Sequence, residues 1–181
     1  LVFMYYLVID VETTCCAHNS FPRAEMEIIE IGAVLCDRHF QPLNSFQSFV
    51  RPVVHPSLTD FCRELTSIRQ KDVDAAPRFD AAVAALNQFL FCHASPPVLF
   101  CSWGGFDKKM FHRDCQRHHT PYPFSPQHCN LKALFQQVNG LARPVGMAEA
   151  LRQSGLALEG VHHRGLDDAR NIAKLLPICL S

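Results

Sequence analysis

The sequence predicts an α/β fold in which helices cover a mixed sheet. Two observations point there: three strand-like segments open the chain in succession, and helical patterns interrupted by one further apolar strand fill the rest. A length of 181 residues is enough for one well-formed core, so residues 1–181 are read as a single domain.

The first strand lies near residues 4–10, and "EIIEIGAVLCD" (27–37) is the second. "NSFQSFVRP" (44–52) mixes apolar and polar positions on both faces, as an edge strand does, and the three are expected to form an antiparallel meander. Residues 57–76 carry two Ser/Thr helix-start signals, and "FDAAVAALNQFLFC" is an alanine-rich helix. "PPVLFCSW" is a short buried strand. The following helix, "GFDKKMFHRDCQRHH", is expected to turn Phe106, Met110 and Phe111 inward. A turn in "TPYPFSP" leads to helices at about 130–138 and 145–154, and "GLDDARNIAKLLPI" is the last helix.

Composition narrows the class. An apolar share of 48% with 19% charged residues is that of a globular protein, and no apolar run approaches the roughly 18 residues of a membrane span. "LVFMYYLVID" lacks the basic start and cleavage site of a signal peptide, and Met4 is the expected natural start. Nine cysteines without a C-x-x-C pair, two of them adjacent, suggest a reducing, cytoplasmic setting. Zero formal charge excludes a broad nucleic-acid-coating surface, so a polyanion must be gripped locally.

Three places carry chemistry. In "LVIDVETTCC", strand alternation puts Asp10 and Glu12 on one side and Val11 on the other. Like charges so close raise each other's pKa unless a cation lies between them, and Mg²⁺ or Mn²⁺ suits oxygen ligands. The plainer alternative is a pair of loop acids capping a turn through Thr13 and Thr14. In "HHRGLDDARNIAKLL", Asp168 falls on the apolar arc with Ile172, Leu175 and Leu176, whereas Asp167 shares the polar face with Asn171 and Lys174. His163 sits on the loop just before. In "CSWGGFDKKMF", Asp107 opens a helix, where a capping role is the simpler alternative.

Together, "IDVETT", "WGGFDKKM" and "HHRGLDDARN" resemble the three motifs of the DEDDh family of 3′–5′ exonucleases. "FCRELTSIRQKDVD" and "PYPF…HCNLKALF" add a likeness to its Eri/KapD-type branch, whose best-known eukaryotic members act on RNA 3′ ends. The loop "CCAHNSFPRAEME" departs from that branch. The resemblance implies a ribonuclease H-like mixed sheet, with Asp10, Glu12, Asp107 and Asp168 as metal-binding acids and His163 as general base. It further implies two Mg²⁺ or Mn²⁺ ions per site and, as partner, the 3′ end of single-stranded RNA or DNA. Thr13, Leu65, Trp103, Phe106 and Lys132 are the expected substrate-binding positions, with Lys108 and Arg164 as further cations for the strand.

Three other readings compete with this one. A catalytically silent nucleic-acid-binding module of the same fold has no need of an inward Asp168 or of His163. A proofreading subunit would carry an extension for its polymerase, and none is evident. A zinc site on the helix holding His112, Cys115, His118 and His119 lacks a second pair of ligands. No membrane partner is expected, and protein partners are left open.

Overall fold

The computed structural model describes residues 5–181, so the expected start at Met4 lies outside the described residues. Five strands, β1 (Tyr5–Thr13), β2 (Ile28–Asp37), β3 (Pro42–Phe49), β4 (Val98–Ser102) and β5 (His128–Asn130), form one sheet in the order β3-β2-β1-β4-β5. β3, β2 and β1 are antiparallel neighbours, whereas β4 pairs parallel to β1 and β5 parallel to β4. This is the mixed sheet with an antiparallel first half that the sequence predicts, and β3 takes the expected edge.

The helices are α1 (Asp60–Thr66), α2 (Gln70–Asp74), α3 (Phe79–His93), α4 (Phe106–Arg117), α5 (Leu131–Val138), α6 (Met147–Gln153), α7 (Gly165–Ala173) and α8 (Leu176–Leu180). Strand alternation divides the core in two. Leu7, Ile9 and Val11 pack with Phe79, Val83, Met110 and Phe111 under α3 and α4. Val8 on the opposite face packs with Leu131, Phe135, Ala169 and Ile172 under α5 and α7. Asp10 and Glu12 continue the Val8 side, so they emerge where α7 crosses the sheet.

That crossing is very close. Asp10 pairs with Gly32 across the ladder, and a Cβ on Gly32 would lie 2.0 Å from the carbonyl carbon of Gly165. Only glycine lets the start of α7 settle on β2, and α7 carries Asp168. Gly32→Ala is therefore expected to cost at least about 3 kcal/mol, read as a lowered denaturation midpoint, because backbone would have to move. An unchanged midpoint would show that this contact does not hold α7 in place.

Several local expectations differ from the structure. Thr59 caps α1 by accepting the Cys62 N–H, but Ser67 ends α1 in a left-handed conformation, and Arg69 precedes α2. β5 is too short to give a periodic pattern. The last helix divides at Lys174–Leu175, with a proline in the first turn of α8. Met110 and Phe111 are fully buried, but Phe106, in the first turn of α4, is 46% exposed and lines a cleft with Asp10 and Asp107. Asn171 is buried rather than on a polar face: its side chain accepts the Glu159 N–H at 3.0 Å and donates to the Glu159 carbonyl at 2.8 Å. A satisfied amide can occupy a core position.

Candidate active site

At the C-terminal ends of β1 and β4 a cleft of about 350 Å³ is lined by Asp10, Glu12, Trp103, Phe106, Asp107, His162, His163 and Asp168, among others. Larger hollows exist elsewhere, but none of them holds a comparable set of acids. The cleft gathers the chemistry.

The four acids arrive on three elements. Asp10 and Glu12 come from the central strand β1, Asp107 from the first turn of α4 and Asp168 from the first turn of α7. Asp107 Oδ1 accepts the Val11 N–H at 2.9 Å, which ties α4 to the end of β1 across 96 residues of sequence. Carboxylate oxygens of Asp10, Glu12 and Asp168 can all lie within 4.8 Å of one another, the spacing of a hard-cation site. Asp107 stands outside that trio but lines the same cleft.

Burial and mutual repulsion show in the electrostatics. Desolvation, then Asp107 and Glu12, push the Asp10 carboxyl well above the usual carboxylate range. Desolvation followed by Asp168 and Glu30 raises Glu12 to about 8, and desolvation takes Asp107 to about 7. Among the described residues, no lysine or arginine forms an ion pair with Asp10, Glu12 or Asp107. A set of acids that repel one another and lack a basic partner fits a divalent cation.

The histidine loop is fixed from beneath by α7. Asp167 accepts the Val161 N–H at 2.9 Å, Asn171 holds Glu159, and Asp168 Oδ2 accepts the His163 N–H at 2.9 Å. His163 is thereby held at φ 64°, a left-handed conformation that a non-glycine residue adopts at some cost. Desolvation, then His162, lowers its pKa, which favours the neutral imidazole needed to accept a proton.

His162 was not anticipated as a site residue. Its Nδ1 lies 3.0 Å from Asp168 Oδ1, and its ring stacks on that of His163 at 4.0 Å. The paired "HH" ahead of an inward acid is the sequence cue that could have flagged it.

The other expected positions divide. Trp103 and Phe106 line the cleft, Trp103 by donating its indole N–H to the Val145 carbonyl at 3.1 Å. Thr13 is buried at the end of β1, where its carbonyl accepts the Cys62 thiol, and its side chain is not part of the cleft lining. Leu65 is exposed on α1, which that same bond fastens to β1. Lys132 borders Gly104, beside Trp103. Arg164 is engaged elsewhere: its Nε donates to the buried Glu30 at 3.0 Å and its guanidinium stacks over Phe49.

Glu30 also accepts the Gly165 N–H, so it fastens the start of α7 to β2. Glu30→Ala strands that N–H and unpairs Arg164. A loss of about 2–3 kcal/mol in denaturant unfolding is expected, below the value for a fully buried pair because Arg164 regains water. A loss under half of that would mean the pair does not hold the helix.

Residues 7–176 match the family described as Exonuclease (RNase T). The chain belongs to this exonuclease family. It is 31% identical over 177 residues to the probable 3′-5′ exonuclease KapD of Bacillus subtilis, a match covering 95% of this chain and 82% of the relative. It is 32% identical over 181 residues to human ERI1 exoribonuclease 3, covering 96% of this chain and 53% of the relative. The chain thus spans most of the bacterial relative and about half of the human one. Among solved structures, the nuclease domain of 3′hExo, a DEDDh family member bound to rAMP, superposes with a TM-score of 0.89 at 29% identity, over 98% of this chain and 94% of that domain. A structure of a 3′-exonuclease recognising a histone mRNA stem-loop matches equally well, with a TM-score of 0.89 at 29% identity over 96% of this chain and 62% of that one. The resemblance drawn from the three motifs, and the ribonuclease H-like sheet it implies, are borne out.

His112 and Cys115 lie on α4, whereas His118 and His119 follow its end at Arg117, and none of the four belongs to either potential ligand group found among the described residues. His112 instead stacks on Tyr122. All nine cysteines are free thiols, and among the described residues no helix is long and apolar enough to cross a membrane.

Proposed function

We propose that the chain is a divalent-metal-dependent exonuclease that removes nucleotides from the 3′ end of single-stranded nucleic acid, with RNA preferred. The observation that carries this is the convergence of Asp10, Glu12, Asp107 and Asp168 on one cleft beside a neutral-leaning His163. A silent binding module would have no use for acids held against such repulsion.

Asp10, Glu12 and Asp168 would hold one Mg²⁺ or Mn²⁺, and Asp10 with Asp107 a second. Such ions neutralise the scissile phosphate and stabilise the charge that develops on its oxygens. His163 accepts the proton of the attacking water as its oxygen bonds to phosphorus. The bond from phosphorus to the preceding 3′ oxygen breaks as that bond forms, the 3′ oxygen takes a proton from solvent to become a hydroxyl, and a nucleoside 5′-monophosphate is released. Trp103 and Phe106 offer apolar surface to the terminal nucleotide, with Leu65, Lys132 and Thr13 assigned the supporting contacts. The free thiols are in keeping with a reducing, cytoplasmic setting.

Preference for RNA is supported by relatives named exoribonucleases and by the rAMP and mRNA stem-loop complexes of the structural neighbours. A time course on 5′-labelled RNA and DNA of one sequence with Mg²⁺ tests the proposal. Stepwise shortening from the 3′ end, faster on RNA, is expected. Release of internal fragments, or binding with no shortening, would overturn it.

A further inference from the structure

We infer that His162, His163 and Asp168 form a binding site for a late first-row dication, zinc above all, whose occupation switches the exonuclease site off. The regulatory half of this inference rests on the function proposed above; the binding half does not.

One ligand atom from each of the three side chains can lie within 4.8 Å of the other two. His162 Nδ1 is 3.0 and 3.2 Å from the two Asp168 oxygens. Bonds of about 2.0 Å from a tetrahedral ion imply a ligand–ligand edge of about 3.3 Å, so the pair already stands near chelating distance. The imidazoles stack at 4.0 Å with 22° between their planes, so one ring must turn out of the stack for both in-plane lone pairs to meet on one ion. Asp167, Asp168 and Asn171 already anchor the loop backbone, so an ion has a side-chain rotation to impose and no loop to order. His162 is 42% exposed at its side chain, which leaves an entry path from solvent.

The donor set selects the metal. Two imidazole nitrogens and one carboxylate with room for a water suit zinc, whereas Mg²⁺ demands oxygen and near-octahedral order. The Asp10, Glu12 and Asp168 trio has the opposite character, being all carboxylate. Both groups share Asp168, so an ion in one draws on a ligand of the other. An ion on the histidines also occupies the imidazole lone pair of His163, which then cannot accept a proton. Zinc at this place would stop cleavage at both points.

Zinc titration of the full-length metal-stripped protein against a chromophoric chelator, in a non-thiol reductant, tests the binding. The wild type is expected to hold one equivalent that His162→Gln and His163→Gln each weaken by at least about tenfold, while Glu12→Gln leaves it unchanged. Background binding by cysteines is common to all four proteins and cancels. Mg²⁺-driven shortening of labelled RNA, each protein normalised to its own zinc-free rate, should show the zinc concentration for half-inhibition rising by the same factor in His162→Gln. Equal zinc binding and inhibition in His162→Gln and wild type would overturn the inference, as would loss of zinc in Glu12→Gln, which would place the ion among the carboxylates. Absence of any equivalent sensitive to His162 would overturn it too. If zinc binds as expected but Mg²⁺ drives no shortening, the site stands and the proposed exonuclease function fails.

Discussion

Asp10→Asn is expected to slow 3′-end shortening by at least about a thousandfold while the protein stays folded and still binds RNA. Asp10 occupies the middle of the acidic group: Asp107, Glu12 and Asp168 all act on it, and it is the residue assigned to both ions. Asparagine keeps its shape, so the Gly32 contact under α7 and the β1–β2 ladder should persist. The charge that binds metal is lost. Single-turnover rates on 5′-labelled RNA at saturating protein separate this from weak binding, and a variant retaining a tenth of wild-type rate would remove Asp10 from the centre of the mechanism.

Glu12→Gln is expected to stabilise the metal-free protein at pH 8 while abolishing cleavage. Glu12 is raised from 4.5 to about 8 by burial, Asp168 and Glu30. Between those values the folded chain keeps a proton that the unfolded chain has released. Stability is therefore full below about pH 4.5 and is lost as pH rises through about 8. Asp107, raised to about 7, and Asp10 contribute with the same sign. The combined penalty is a few kcal/mol, and neutral glutamine relieves the Glu12 share, raising the thermal midpoint at pH 8 by about 5 °C. In EDTA the wild-type midpoint should fall from pH 5 to pH 8, and the variant should fall less. A wild-type midpoint that rises over that range would contradict the repulsion described for the acids.

Much of this centre was legible because alternation and helical periodicity are geometric. "IDVET" places Asp10 and Glu12 on one face through strand pleat alone, and the helical wheel of α7 turns Asp168 inward. What the wheel lacks is partners. It set Asn171 on the polar face because it scores polarity, whereas the backbone of Glu159 satisfies that amide inside the core. It turned Phe106 inward because it scores apolar character, whereas that ring lines an open cleft. Arg164 reads as a spare cation in sequence, and its neutralisation by Glu30 depends on a contact across 134 residues. The closeness of β2 and α7 was equally invisible, since Gly32 and Gly165 are unremarkable letters until their backbones touch. His162 was passed over because the family motif assigns its neighbour.

In the proposed mechanism the four acids act as one metal-binding unit that cleaves. Metal-stripped protein titrated with Mn²⁺, with thermal midpoint and RNA-shortening rate read from the same samples, tests it most directly. Both are expected to rise over one Mn²⁺ range, with neither response in Asp10→Asn. Shortening that persists in EDTA, or a midpoint that rises with Mn²⁺ while RNA stays intact, would contradict it.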